Sequence, residues 1–244
     1  AIDPDNDYVQ GNAAHEREMF EVATSVPHAL METAILDAVG HREASFDTGV
    51  FSRLLPDIDP GAIRLTDLSV TSDALVEDNW SDPQIDWKLL ARAAAETGVA
   101  STRYGEYRLS YTRTLSDRAP ATFALHVDVC LPATTAAISP TSARIIKDGH
   151  HLILSTPEIS LHLDGIDCPL ENGAEVEAGD PIGTIAGAPG AVGGLRIQLC
   201  RDPDLVPPLF ARPSHAATWA WLCPSPASLI GADLDAPAPQ SAAL

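Results

Sequence analysis

From Ala119 to Gly231 the sequence reads as β throughout. The runs Thr122–Cys130, Ala143–Ile146, His151–Ser155, Ile159–Leu163, Ile182–Ala186 and Leu195–Cys200 are short and rich in branched apolar residues, and Gly, Pro, Asp or Asn separates them. Runs of this kind present one face to a core and one to water, as strands do. Residues 170–185, LENGAEVEAGDPIGTI, are the most diagnostic: a turn at Asn172-Gly173, then Val176, a second turn at Gly179-Asp180, and a strand.

The chain upstream has a different character. Residues 1–45 are helical in pattern, with Met19, Phe20, Val22 and Ala23 on one face of a first helix. Pro27 opens a second helix through Leu30, Met31, Ala34, Ile35, Ala38 and Val39, and Gly40 ends it. Residues 46–118 read as a small α+β connector. It holds a strand over Ile63–Val70 and a helix opened by Ser81-Asp82-Pro83-Gln84 with capping-box spacing and stopped at Gly98. Tyr104–Leu115 is strand-like, with Tyr107, Leu109 and Tyr111 on one face. Residues 232–244, ADLDAPAPQSAAL, have the composition of a linker. The expected fold class is α+β and mainly β, with the β domain at 119–231.

The charge balance excludes some partners. Fifteen basic against 34 acidic residues give a net charge of −19. Such a surface repels phosphate backbones and anionic headgroups, so neither nucleic acid nor a membrane surface is expected to bind. No run approaches the ~18–20 apolar residues of a spanning helix. AIDPDNDYVQ lacks the basic and apolar regions of a signal peptide. Cys130, Cys168, Cys200 and Cys223 form no C-x-x-C pair and read as reduced thiols of a cytoplasmic protein, not a disulfide framework.

The stretch 170–185 resembles the hairpin of small β-sandwiches of the lipoyl and biotinyl kind. A carrier of that kind needs a lysine at a turn tip, and Lys88 and Lys147, the two lysines here, lack that context. No cofactor is expected. No G-x-S-x-G, P-loop or H-E-x-x-H motif occurs, and the Gly-rich stretch 187–194 is not followed by a helical pattern.

The β region also resembles the lysostaphin-like zinc endopeptidases, with their duplicated-hybrid-motif β-sandwich. That family carries H-x-x-x-D with a following Pro, a G-H-L triplet, and H-x-H. In ALHVDVCLPA (124–133), Asp128 and Pro132 match, Ala124 stands where the first histidine belongs, and His126 lies two residues on. ISLHLDGI supplies His162, while GLRIQL puts Gly194 and Arg196 at the H-x-H histidines. The resemblance thus implies a lost site, since zinc hydrolysis needs about three protein ligands and an open position. No catalytic residue and no metal are expected. Asp128, His162, Arg196 and His126 are expected to line the former cleft, with the Arg196 guanidinium on Asp128 where zinc would stand. Two alternatives stay open: a zinc endopeptidase with ligands rearranged among His126, Asp128, His162, His150 or His151, and a small-ligand or peptide module in that cleft. His150-His151 otherwise reads as a turn pair.

The resemblance extends to residues 5–40, 69–75, 103–115 and 219–231. These are similar to segments of bacterial fusion proteins in which an aminoglycoside-phosphotransferase-like kinase, a lysostaphin-like domain and a class-III PLP aminotransferase-like domain follow in order. It implies kinase-like and aminotransferase-like (phospho-lyase) partners acting on a small amino alcohol, with this chain a non-catalytic scaffold between them. Neither a kinase catalytic loop nor a PLP lysine lies in these residues.

Overall fold

The computed structural model describes residues 51–76, 79–112 and 120–235. The two helices expected within residues 1–45, and the linker beyond Asp235, lie outside the described residues.

The described chain is mainly β with few helices. Its strands are β1 (Arg64–Leu65), β2 (Ala100–Ser101), β3 (Phe123–Ala124), β4 (Val127–Pro132), β5 (Ala136–Ile138), β6 (Ala143–Asp148) and β7 (His151–Ser155). Then follow β8 (Ser160–Asp164), β9 (Ile166–Asp167), β10 (Glu175–Val176), β11 (Pro181–Ile185), β12 (Val192–Cys200) and β13 (Phe210–Ala211). Helix α1 (Ile85–Thr97) precedes β2; α2 (Ala216–Leu222) and α3 (Ala227–Ile230) close the described chain. An eight-stranded sheet runs β1-β2-β4-β12-β8-β7-β6-β10, beside a three-stranded sheet β5-β11-β9.

Period-two alternation sorts the large sheet into two faces. Val127, Val129, Leu131, Leu152, Leu154, Leu161, Leu163, Leu195, Ile197 and Leu199 point one way and form one core with Ile182 and Ile185 of the small sheet. The other face carries the polar residues of the same strands. Part of that polar face is roofed: Leu90 and Ala94 of α1 pack on Ala100 and Cys130. At the far end of β12, Trp219 and Leu222 of α2 cover Leu125 and Cys200. Segments on either side of the sheet join the main core, where Leu54, Leu55, Leu229, Ile230 and Leu234 are buried together.

Several local expectations need correction. The Ile63–Val70 strand shrinks to Arg64–Leu65. Gln84, not Ser81, occupies the helix N-cap and makes no side-chain cap; Asp82 Oδ1 accepts from the Gln84 N–H at 2.9 Å instead. The helix does stop at Gly98, in the left-handed region at φ 86°. Over Tyr104–Thr112 no strand forms, and Leu109–Thr112 is a 3-10 turn. Burial does alternate there, with Tyr104, Glu106, Arg108 and Ser110 buried and Tyr107, Leu109 and Tyr111 half-buried, but the segment pairs only through isolated bridges at Tyr104, Tyr107 and Arg108, so no strand is built. The single run Thr122–Cys130 is two strands, broken at Leu125-His126. The 170–185 stretch is a corner rather than a hairpin, because β10 pairs with β6 while β11 pairs with β5 and β9. Helices α2 and α3 stand where β was expected to continue to Gly231.

Candidate functional site

Register builds the site. On β12, Arg196 lies opposite Asp128 of β4 on one side and opposite Asp164 of β8 on the other. Gln198 lies opposite His162, and His151 of β7 lies opposite Asp164. All therefore share the face away from the leucines.

Asp128 is the centre of a buried ion cluster. Arg196 Nε donates to its Oδ1 at 2.8 Å, and Arg108 Nη1 donates to its Oδ2 at 3.1 Å. His126 Nε2 lies 3.2 Å from the same Oδ2, and its Nδ1 lies 3.0 Å from the Leu209 carbonyl. The Thr102 hydroxyl accepts from the Asp128 N–H and from Arg108 Nη2, both at 2.9 Å. Arg108 is 1% exposed and Asp128 and Arg196 5% each, so the charges meet out of water. Burial pushes the Asp128 pKa up, but Arg196, His126 and Arg108 outweigh it and hold the carboxyl well below its usual range. Burial, with the two arginines opposing Asp128, pushes His126 down to about 4, so its ring is neutral at neutral pH.

Arg108 is aligned by further partners. Asp86 Oδ2 is 3.5 Å from Nη1, Glu106 Oε2 is 3.7 Å from Nε, and the Phe210 ring centre lies 5.5 Å from its guanidinium carbon. Burial raises the Glu106 pKa to about 7 against the pull of Arg108 and the Leu68 N–H, and a carboxyl–carboxyl contact with Asp67 pushes the same way.

A second polar group continues along the face. His151 Nδ1 is 2.6 Å from Asp164 Oδ1, His151 Nε2 is 2.9 Å from His162 Nδ1, and His162 Nε2 is 2.8 Å from Ser160 Oγ. One set of neutral tautomers satisfies every link. Ser160 donates to His162, His162 donates to His151, and His151 donates to Asp164. The chain is polarised toward the carboxylate and cooperatively strengthened.

Zinc does not fit the Asp128 position. Ala124 and Gly194 offer no ligand atom, and a guanidinium that cannot deprotonate stands at the carboxylate. Among the described residues no three His, Cys, Asp or Glu side chains converge on a point able to hold a metal. His151, His162 and Asp164 are strung in a line, each ring nitrogen turned to a neighbour.

Of the expected cleft residues, Asp128, Arg196 and His126 meet directly, and His162 shares their face but bonds to His151 and Ser160. His150-His151 is not a turn pair: His150 stays in the turn while His151 begins β7 and faces the site. Sequence reasoning missed Arg108, Glu106, Thr102, Asp164 and Ser160. The alternation in HLILS and SLHLD marks His151, Ser160 and Asp164 as sharing one face with His162; Arg108 sits in a segment where the charged side of the alternation, not the aromatic one, is the more buried. A cavity of about 340 Å³ lies beside the β6–β7 turn, lined by Lys147, His150, His151, Asp167 and Cys168 among others; Asp128 does not line it. No helix among the described residues is long and apolar enough to cross a membrane.

No family model matches the chain, and no curated protein does. Among solved structures, the catalytic domain of the antimicrobial peptidase lysostaphin from Staphylococcus simulans aligns at 18% identity, over 46% of this chain and 86% of that one, with a TM-score of 0.33. The antimicrobial peptidase lysostaphin from the same organism aligns at 16% identity over 57% and 54%, with a TM-score of 0.32. A zinc-containing peptidase from Vibrio cholerae aligns at 16% identity over 36% and 30%, with a TM-score of 0.29. The chain spans about half the length of the lysostaphin solution structure it also matches.

Proposed function

We propose that this chain is a non-hydrolytic, metal-free scaffold with a lysostaphin-like β domain. The observation that carries the reading is the Asp128 carboxylate held between Arg196 and Arg108. A carboxylate already neutralised by two guanidinium groups has neither the charge nor the open lone pairs to recruit a divalent cation, and an arginine cannot act as a zinc ligand. The hydrolytic chemistry of the resembled family then has no electrophile.

A scaffold role draws support from how the flanking segments are tied. The Leu54 N–H donates to the Leu229 carbonyl at 2.8 Å, and the Tyr104 N–H donates to the Leu234 carbonyl at 2.8 Å. The chain entering the sheet and the chain leaving it are thus hydrogen-bonded to each other or to the sheet's own connector. On the sequence resemblance, the units so organised are a kinase-like and a PLP aminotransferase-like domain acting on a small amino alcohol.

The test is metal content and peptide cleavage. Protein incubated with zinc and desalted should hold far less than one equivalent, leave a glycine-rich peptide intact, and keep its melting temperature in chelator. One tightly held equivalent, or chelator-sensitive cleavage, overturns the reading. Separately, the chain should co-purify with the kinase-like or aminotransferase-like domains; binding to neither would remove the scaffold role while leaving the metal result untouched.

A further inference from the structure

Cys200 ends β12 and Cys223 follows the last residue of α2. The Arg201 N–H donates to the Leu222 carbonyl at 2.8 Å. That bond ties the residue after Cys200 to the residue before Cys223, and so draws the end of β12 against the end of α2. Both side chains are fully buried in one apolar cluster with Leu125, Ala211, Trp219 and Leu222, and the two sulfurs interact with each other. Cys223 is itself pinned: its N–H donates to the Trp219 carbonyl at 2.7 Å and its carbonyl accepts from the Tyr104 hydroxyl at 2.5 Å.

We propose that Cys200 and Cys223 are a disulfide-forming pair, oxidised by a small-molecule disulfide, whose cross-link fastens the end of β12 to the end of α2. Either thiol of the pair serves as nucleophile once deprotonated, and the other as the resolving thiol. The nucleophilic thiolate attacks the incoming disulfide, forming a mixed disulfide and expelling one small thiolate. The resolving thiol then loses its proton and attacks the cysteine sulfur of the mixed disulfide, closing the S–S bond and expelling the second small thiolate. Two protein thiols are oxidised and one small disulfide is reduced to two thiols. Access runs through fraying of α2, a seven-residue helix with no side-chain cap.

The test equilibrates the full chain with mixtures of oxidised and reduced glutathione, blocks free thiols in denaturant, and maps tryptic peptides. Cleavage at Arg196 and Arg201 isolates IQLCR (197–201), and Cys223 falls in the peptide beginning at Asp202, since Pro213 protects the bond after Arg212. The expected result is loss of two thiols together, with IQLCR cross-linked to the 202–244 peptide. The oxidised form should melt several degrees higher, because closing the loop restricts the unfolded chain. Cys200→Ser and Cys223→Ser should each abolish the cross-link, and Cys130→Ser should leave it. Four free thiols in the most oxidising mixture, or glutathione attached at Cys168 alone, would overturn the proposal on wild-type protein without any variant.

Discussion

Arg196 and Asp128 face each other in register across β12 and β4, and the guanidinium Nε reaches the carboxylate Oδ1 at 2.8 Å with both side chains almost wholly buried. Removing one partner of such a pair strands a charge out of water, which is what makes it costly. Arg108 stays on Oδ2 and softens the loss. Arg196→Ala should therefore cost about 1–3 kcal/mol in urea unfolding. Arg144→Ala is the control, since its partner Glu175 is 67% exposed, and it should fall within about 0.5 kcal/mol of wild type. Equal effects for the two variants would contradict the cluster.

Gly165 turns the chain from β8 into β9 at φ 98°, and a Cβ there would lie 1.9 Å from the Gly194 carbonyl oxygen. Backbone cannot yield as a flexible side chain would. Gly165→Ala combines left-handed strain with this overlap and should cost more than about 3 kcal/mol, or prevent folding. Gly149→Ala also has positive φ (59°) but nothing within 4 Å, and should cost only about 1 kcal/mol. Comparable melting temperatures for the two would show that the β8–β12 approach is looser than described.

The strands of the polar face were legible because each alternates cleanly over a single buried face: HLILS, SLHLD and GLRIQL carry their own register. The Asp128–Arg196 pair could be anticipated for the same reason, since a one-residue slip would have turned either side chain into the leucine core. Arg108 was not legible. Its segment alternates, but the buried side is the one that carries Glu106 and Arg108, turned inward by partners far away in sequence such as Asp86 and Phe210, so local hydrophobicity points to the wrong face. Strands of two residues such as β1, β2 and β9 were missed or overdrawn because tertiary pairing, not propensity, fixes their ends. The Cys200–Cys223 approach depends on α2 folding back over β12, which spacing alone cannot show.

The Ser160–His162–His151–Asp164 chain should behave as a coupled unit. Ser160 is fully buried, and its hydroxyl meets the His162 ring at 2.8 Å. His162→Ala takes that acceptor from a fully buried hydroxyl, at a cost of about 1–3 kcal/mol. Ser160→Ala in the same background should restore part of the loss. A double-mutant cycle should therefore give a coupling of about 0.5–1.5 kcal/mol, and strict additivity would mean the contact is not formed.

The ion cluster carries two groups whose titrations oppose each other. His126 falls from 6.5 unfolded to about 4 folded. As pH drops from 6.5 to 4 the unfolded chain takes a proton that the folded chain refuses, so this group's stability is lost with falling pH. Glu106 rises from 4.5 unfolded to about 7 folded. As pH climbs from 4.5 through 7 the folded chain holds a proton that the unfolded chain has released, so its contribution is lost with rising pH. Each shift corresponds to something on the order of 3 kcal/mol, and across pH 4.5–6.5 the two slopes nearly cancel. Between pH 4 and 8 these two groups together should leave wild-type stability almost flat. Glu106→Gln keeps an acceptor for the Leu68 N–H, which now meets Oε1 at 2.9 Å, but cannot ionise. It should unmask the histidine: urea midpoints of this variant should decline steadily from pH 6.5 to 4 while those of wild type hold. Parallel pH profiles for the two proteins would mean that Glu106 is ionised well below pH 7, and that Arg108 faces a carboxylate rather than a carboxylic acid across that range.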